Sequence, residues 1–164
     1  MAKIARKYLA HYIDTATQGD ANYARLGKDL EEFSPEMSAQ VDKKKNILGE
    51  TALVISGYEK TGKIEPYYAD SDTPLFARLQ EIIDKEMVLE ELKTHVVTVK
   101  LWEEAQTKGY PATREEAYIE ITAYGGDTTG YQIPFALHFT GKREQGYFDV
   151  STRTFTSGEA DSGK

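Results

Sequence analysis

Cysteine is absent from this chain of 164 residues, and its absence excludes disulfide frameworks, thiolate nucleophiles and cysteine-bound zinc. Long apolar runs are also missing, since no stretch approaches the roughly 20 residues that a membrane-spanning helix needs. The opening residues, MAKIARKYLAHY, lack the apolar core and small-residue cleavage site of a signal peptide. We therefore expect no membrane partner, and a protein that is made and kept in the cytosol.

Basic side chains are fewer than acidic ones, with 20 lysines and arginines against 27 aspartates and glutamates and a net charge of −7. Proteins that hold nucleic acid need Lys and Arg to displace counterions from phosphates, so this balance argues against that class. An acidic surface would let a nucleic acid move along it without adhering, but net negative charge also simply keeps a protein soluble. Charge alone therefore leaves both interpretations open.

The remaining composition is that of an ordinary globular protein, with 40% hydrophobic and 29% charged residues. The length fits one domain, which we place at residues 1–156. Residues 157–164, SGEADSGK, are small or charged and show no periodicity, so we expect a flexible C-terminal tail there.

Alternating and β-branched stretches dominate and predict a mainly β domain. The predicted strands lie at residues 7–14, 22–26, 30–38, 50–57, 62–68, 95–103, 116–124, 131–140 and 146–150. In the stretch 131–139 the alternate residues are apolar and share one face of a strand: Tyr131, Ile133, Phe135, Leu137 and Phe139. Pro134 cannot donate a ladder hydrogen bond, so we expect a sheet edge or a bulge there.

One helix is predicted at residues 74–88, with Thr73 as its cap and Pro74 at its first position. Its apolar stripe consists of Leu75, Phe76, Leu79, Ile82 and Ile83. The remaining, outer positions are polar and consist of Arg78, Gln80, Glu81, Asp84 and Lys85. One helix within a series of strands favours a β-sandwich or barrel with a flanking helix.

Residues 39–49, AQVDKKKNILG, predict a loop between two strands. The loop is longer than a hairpin needs. Within it, a run of charged residues is followed by an Ile-Leu pair. Loops of this length are uncommon unless they have a function, so we predict a contact arm, with a solvated turn as the alternative.

The segment GYEKTGK has the spacing of a phosphate-binding loop at Gly57, Gly62 and Lys63. Ile64 stands where the magnesium-binding Ser or Thr belongs, and the strand-like IEPYY follows instead of a helix. We therefore predict a hairpin turn at residues 60–62 rather than a nucleotide site.

Metal and catalytic motifs are equally incomplete. Asp70, Asp72 and Glu81 fit three positions of a calcium loop, but Pro74 and Leu75 replace an oxygen ligand and the turn glycine, so the aspartates fit a helix start better. The three histidines lie on separate predicted strands and have no second ligand at metal-site spacing: His11, His95 and His138. No G-x-S-x-G motif occurs. We expect no catalytic, cofactor-binding or metal-binding residues, and hence no enzyme.

A glycine-rich connection separates two strong strands at residues 125–130. Its glycines can supply positive φ, which predicts a hairpin, and Gly125, Gly126 and Asp127 are candidates for an interface role in addition.

Four segments in order resemble the major tail tube proteins of long-tailed bacteriophages: YARLGKDLEEFSPEM (23–37), KKNILGE (44–50), EPYYADSDTPLFARLQEI (65–82) and YGGDTTGYQIPFALHFTG (124–141). The similarity extends over most of the chain. It implies a β-sandwich with one helix, of which six copies form a ring with a continuous inner β-barrel, and rings that stack into a tube.

The resemblance also implies partners and a location. The subunit would contact its own copies, a tape measure protein, a tail terminator and tail-tip proteins, and phage DNA would pass through the lumen without specific binding. Assembly would occur in the cytoplasm of the bacterial host, and the product would be the virion tail. A contractile tail or a headless bacteriocin-like particle would use the same fold.

Two sets of residues acquire roles from the resemblance. The stacking loop to the next ring would be formed by Lys43, Lys44, Lys45, Asn46, Ile47, Leu48 and Gly49, with the lysines meeting acidic residues and the Ile-Leu pair anchoring the contact. Candidate acids facing the lumen are Glu31, Glu36, Glu65 and Glu120. The alternative of another class is a monomeric β-barrel module that binds a small ligand among its tyrosines.

Overall fold

The structure, a computed structural model, describes residues 2–16, 19–27, 33–65 and 67–158. Its strands are β1 (Leu9–Asp14), β2 (Tyr23–Leu26), β3 (Glu36–Lys45), β4 (Thr51–Ile64), β5 (Lys93–Lys100), β6 (Tyr110–Ile121), β7 (Gly125–Asp127), β8 (Gly130–Gln132), β9 (Phe135–Asp149) and β10 (Thr154–Ser157). The helix α1 spans Pro74–Lys85, and short 3-10 helices lie at Arg6–Tyr8 and Leu89–Leu92. Within the described ranges, the expectation of a mainly β fold with one α-helix is confirmed.

Eight strands form one sheet in the order β2-β1-β5-β6-β9-β4-β3, with β10 paired to β9 beside this path. All of these pairings are antiparallel. The strands β7 and β8 form a separate two-stranded sheet.

Two apolar clusters lie on opposite faces of the eight-stranded sheet, because successive side chains of a strand alternate between faces. In β1, Ile13 belongs to the larger cluster and Tyr12 to the smaller one; in β5, Val96 and Val97 divide in the same way. The larger cluster includes the buried stripe of α1, so the helix covers that face of the sheet.

The helix α1 begins as predicted. The Thr73 hydroxyl accepts a hydrogen bond from the backbone N–H of Phe76 at 3.3 Å, and Pro74 is the first helical residue. The helix ends at Lys85 and not at residue 88, because Glu86 takes a left-handed conformation with φ of 45°. The predicted apolar stripe packs on the core.

Arg78 was predicted on the outer side of α1, and this was wrong. The side chain is only 3% exposed. Its guanidinium donates to the carbonyl oxygens of Asp14 (3.2 Å), Ala16 (2.9 Å), Glu91 (3.4 Å) and Lys93 (2.9 Å). Arg78 therefore joins the helix to the end of β1 and the start of β5.

The predicted strands 50–57 and 62–68 are mainly one strand, β4, and the hairpin turn predicted at residues 60–62 is wrong. Gly62 lies inside β4 beneath the ring of Phe33, and a Cβ on Gly62 would lie 2.6 Å from Cε1 of that ring. The glycine thus serves close packing and not chain reversal.

Other predicted strand boundaries also differ from those in the structure. The predicted strand at 131–140 is divided between β8 and β9 with a break at Ile133 and Pro134, where a proline cannot extend the ladder. The strand at 146–150 is the end of β9, and the one at 116–124 corresponds to the second half of β6. Residues 28–32, part of the predicted strand 30–38, lie outside the described residues, and Ser157 belongs to β10 and not to the predicted tail.

Candidate functional site

The hairpin formed by β3 and β4 projects from the sheet. Only Thr61–Ile64 of β4 pair with β9, whereas the stretch from Thr51 to Gly57 and on to Thr61 pairs with β3. At about 3.3 Å per residue, the part of the hairpin that is not paired to β9 is about 30 Å long. Every residue of β3 is exposed, and β3 is the last strand in the sheet order.

The tip of this hairpin is held by Asn46. Its side-chain oxygen accepts from the backbone N–H groups of Leu48 (2.9 Å) and Glu50 (3.0 Å), and its amide donates to the Glu50 carboxylate at 2.7 Å. Gly49 supplies the positive φ of 83° that closes the turn. Ile47 is 100% and Leu48 78% exposed, so the hydrogen-bonded tip presents two aliphatic side chains to solvent.

The strand register gives the hairpin one apolar face and one polar face. Paired residues lie on the same face, and Val41 pairs with Ile55 while Ala39 pairs with Tyr58, because a bulge at Ser56 shifts the register. We call one face the apolar face; its apolar members are Met37, Ala39, Val41, Leu53, Ile55 and Tyr58. Lys43 and Lys60 lie on the same face, paired with Leu53 and Met37. The polar face consists of Glu36, Ser38, Gln40, Asp42, Lys44, Ala52, Val54, Gly57, Glu59 and Thr61.

The apolar face is continuous with the main core. Lys60, Gly62 and Ile64 follow Tyr58 on the same face of β4, and Phe33 covers Gly62 while Ile64 is fully buried. The apolar surface of the core thus continues along the hairpin, where no described part of the chain covers it. Exposed apolar surface of this extent is typical of contact surfaces.

The root of the hairpin contains a partly buried ion pair. The Lys60 ammonium lies 2.7 Å from the carboxylate of Glu115 on β6, and the Nε of Arg143 on β9 lies 3.4 Å from the same carboxylate. Glu115 is buried and has two cationic partners, so its charge is compensated. This network ties β4 to the two central strands.

Residues 39–49, which the sequence predicted as a loop, are mostly strand. Lys43, Lys44 and Lys45 are the last residues of β3, and the turn comprises only residues 46–50. No ion pair involves these three lysines within the ranges that the structure describes. The basic charge at the tip is therefore uncompensated by described partners.

The candidate acids fall in different places. Glu36 on β3 and Glu120 on β6 are exposed and lie on the same face of the sheet, because Glu36, Thr61 and His138 follow one another across the strand pairs. The Glu120 carboxylate lies 2.5 Å from Nε2 of His138. Glu65 is exposed just after β4, and Glu31 lies outside the described residues.

The same face also carries positive charge. Lys63 follows Thr61 on this face, and Lys93 pairs with Tyr118 in the next strands. The face that holds the candidate acids is therefore mixed in charge.

The glycine-rich connection forms the predicted hairpin, with Gly125, Gly126 and Asp127 on β7. The Asp127 carboxylate accepts hydrogen bonds from the hydroxyl and the backbone N–H of Thr129, and these bonds lower the pKa of Asp127. These three residues are exposed, and the carboxylate is used within the turn.

The incomplete motifs find structural explanations. Gly57 and Lys63 both lie within β4, where no helix N-terminus is available for a phosphate. The carboxylate of Asp70 accepts from the Asp72 backbone N–H at 2.9 Å in the turn before α1.

The histidines lie apart in the fold. His11 lies on the α1 side of the sheet and packs against Phe33, whereas His95 and His138 lie on the other face. Among the described residues, no group of three His, Cys, Asp or Glu side chains is placed to hold a metal ion.

The sequence prediction missed the apolar face of the hairpin. A signal was present, because Met37, Ala39 and Val41 alternate with polar residues in the pattern of a half-exposed strand. The lysine run at 43–45 interrupts this pattern and led to the prediction of a loop.

Comparison with models of protein families finds no match for this chain, and comparison with curated proteins finds none either. Within the described part of the chain, no helix is both long and apolar enough to cross a membrane.

Proposed function

We propose that the protein is a structural subunit that assembles with its own copies, and that the assembly is a phage tail tube. The observation that carries this proposal is the β3–β4 hairpin, which projects from the sheet with an exposed apolar face and an open strand edge. The resemblance of the sequence to major tail tube proteins supplies the identity of the assembly.

A two-stranded hairpin gains little stability by itself in water, and a sheet edge readily pairs with another strand. Covering the apolar face would bury side chains such as Val41 and Ile55, and pairing at β3 would satisfy its outward backbone groups. Contact with further copies would provide both a cover for the apolar face and a partner for the open edge of β3. In a closed ring, each copy presents the same edge to its neighbour.

The tail tube hypothesis adds the particular arrangement. Six copies form a ring in which the hairpins join into a continuous inner β-barrel, and the rings stack into a tube. DNA passes through the lumen, and the tape measure, terminator and tail-tip proteins bind the ends or the interior. In this proposal the protein is no enzyme and resides in the virion after assembly in the host cytoplasm.

The polar face of the hairpin would then line the lumen with Glu36, Asp42 and Glu59, and Glu120 would lie on the same side of the sheet. These acids would repel DNA phosphates and limit adhesion during passage. Lys44 and Lys63 reduce that repulsion locally.

The test uses two neighbouring residues of β4 with similar exposure, Ile55 (51%) on the apolar face and Val54 (54%) on the polar face. Each is changed to lysine. Both variants should fold, because both side chains are already exposed. Ile55→Lys should raise the protein concentration needed for assembly by about tenfold or more, since a charge would enter a buried contact, whereas Val54→Lys should assemble nearly as the parent does.

Assembly is measured by sedimentation velocity, with tail-tip components added as seeds, and folding by circular dichroism. Equal assembly of the parent and Ile55→Lys would contradict the role of the apolar face. A parent protein that stays monomeric at every concentration, seeded or not, would contradict the proposed function itself.

A further inference from the structure

An apolar groove of about 500 Å³ lies between the C-terminal end of α1 and the end of β6. Its walls include Ile82, Met87 and Val88 on one side and Ile121 and Tyr124 on the other. Val88 and Tyr124 are exposed, so the groove is open to solvent. We call it the α1–β6 groove.

Acidic side chains border this groove. Glu86 belongs to its lining, and Glu90 and Glu91 follow in the adjacent 3-10 helix, whereas the carboxylate of the lining residue Glu120 lies on the other face of the sheet against His138. Glu86 is exposed and forms no ion pair with any described residue. The groove thus combines an apolar floor with a negative rim.

The hairpin tip has the complementary properties. Ile47 and Leu48 are its most exposed apolar residues, and Lys43, Lys44 and Lys45 precede them without described ion pairs. Two aliphatic side chains beside three ammonium groups match an apolar groove beside several carboxylates. Among the described surfaces, the tip and the groove match in both polarity and charge.

The tip and the groove lie at opposite ends of the molecule. Ile64, the last residue of β4, pairs with Phe135 of β9, and Phe135 pairs in turn with Ile121 of β6, which lines the groove. The tip lies just before Thr51, the first residue of β4, and so at the other end of that strand. Thirteen residues of strand separate the two levels, which corresponds to about 40 Å. The tip of one copy therefore cannot reach its own groove, but it can reach the groove of a copy placed in line with it.

We infer that the α1–β6 groove receives the Ile47-Leu48 tip of the next copy along the assembly axis. This inference rests on the proposed function and names the two surfaces of its axial contact. Because the two surfaces differ, the contact is heterologous and repeats without closing, which generates a stack of indefinite length.

The test exploits the lack of cysteine in the chain, because introduced thiols are then the only ones present. Leu48→Cys is combined with Val88→Cys in one chain, and assembled material is treated with a short bis-maleimide. This reagent tolerates thiol orientations that a disulfide would not. The control chain combines Leu48→Cys with Val150→Cys, an exposed position at the opposite end of β9 from the groove.

In assembled tubes, the 48–88 pair should give ladders of cross-linked copies on denaturing gels, while the 48–150 pair should give at most a trace. Tubes that form normally without enhanced 48–88 cross-linking would overturn this inference and leave the proposed function standing. If neither the parent nor the variants assemble under seeded conditions, the proposed function fails and the inference fails with it.

A second measurement compares adjacent exposed residues, Val88 (58% exposed) inside the groove and Leu89 (79% exposed) outside its lining. Val88→Asp should raise the concentration for tube growth about tenfold, and Leu89→Asp by less than about twofold. Equal effects of the two changes would overturn the inference. So would a small apolar molecule found in the groove of the purified protein by native mass spectrometry.

Discussion

Replacing Gly62 by alanine tests whether this glycine has a packing role in β4. The new methyl group would lie 2.6 Å from Cε1 and 3.0 Å from Cζ of Phe33, both closer than carbon atoms approach without displacement. Phe33 is buried in the main core, so its ring has little room to move. Overpacking of this kind costs about 1–3 kcal/mol of folding free energy.

Gly57 in the same strand provides the matched control. A methyl group there would have Gln40 Oε1 as its nearest neighbour at 3.4 Å, at the end of a flexible and exposed side chain. Gly57→Ala should therefore leave stability unchanged or raise it by about 0.4–1 kcal/mol, because alanine restricts the unfolded chain.

Urea unfolding followed by circular dichroism measures the difference. With a slope of about 2 kcal/mol per molar urea, Gly62→Ala should lower the unfolding midpoint by about 1 M relative to Gly57→Ala. Phe33→Leu should recover part of this loss in the Gly62→Ala background, since a smaller side chain relieves the clash. Equal midpoints for the two alanine variants would refute a packing role for Gly62.

Two further changes probe buried polar groups. Burial, with smaller contributions from Arg6, Arg25 and Lys60, lowers the pKa of His11 from 6.5 to about 4, so the unfolded chain takes up a proton between these values and the folded protein does not. Stability should therefore fall by up to about 3 kcal/mol as pH decreases from 6.5 to 4, and His11→Leu should show a shallower decline in urea midpoints measured across that range. Arg78→Met should cost about 2–4 kcal/mol in thermal or urea unfolding, because it removes the donor from the carbonyl oxygens of Ala16 and Lys93. The exposed Lys85→Ala on the same helix should cost less than about 1 kcal/mol, and similar losses would contradict the bridging role of Arg78.

The elements that the sequence predicted best have strong local signals. Thr73 and Pro74 determine the start of α1 by capping and by a fixed φ, which depend on adjacent residues alone. The alternation from Tyr131 to Phe139 likewise identified side chains that pack in the main core. At Pro134, where the sequence predicted a sheet edge or a bulge, the strand is instead broken between β8 and β9.

The failures share a different cause, because they depend on contacts between distant parts of the chain. Arg78 is polar and was predicted at the surface, but carbonyl groups from β1 and β5 make its burial favourable. Gly62 resembled a turn residue until its position under Phe33 was known. Only the strand register, with its bulge at Ser56, joins Ile55 and Tyr58 into one apolar face.

The contact role of the candidate site stays a prediction. The sequence identified the lysines and the Ile47-Leu48 pair as a contact element, and their exposure at the end of a projecting hairpin agrees with that hypothesis. It did not identify the α1–β6 groove, since Ile82, Val88 and Ile121 come together only in the folded chain.

Negative-stain electron microscopy of the concentrated protein, with and without tail-tip components as seeds, tests self-assembly most directly. If the protein is a tail tube subunit, the images should show rings or hollow tubes of uniform diameter, with six subunits around each ring. Dispersed monomers under every condition, with the β3–β4 hairpin exposed to solvent throughout, would contradict the proposal.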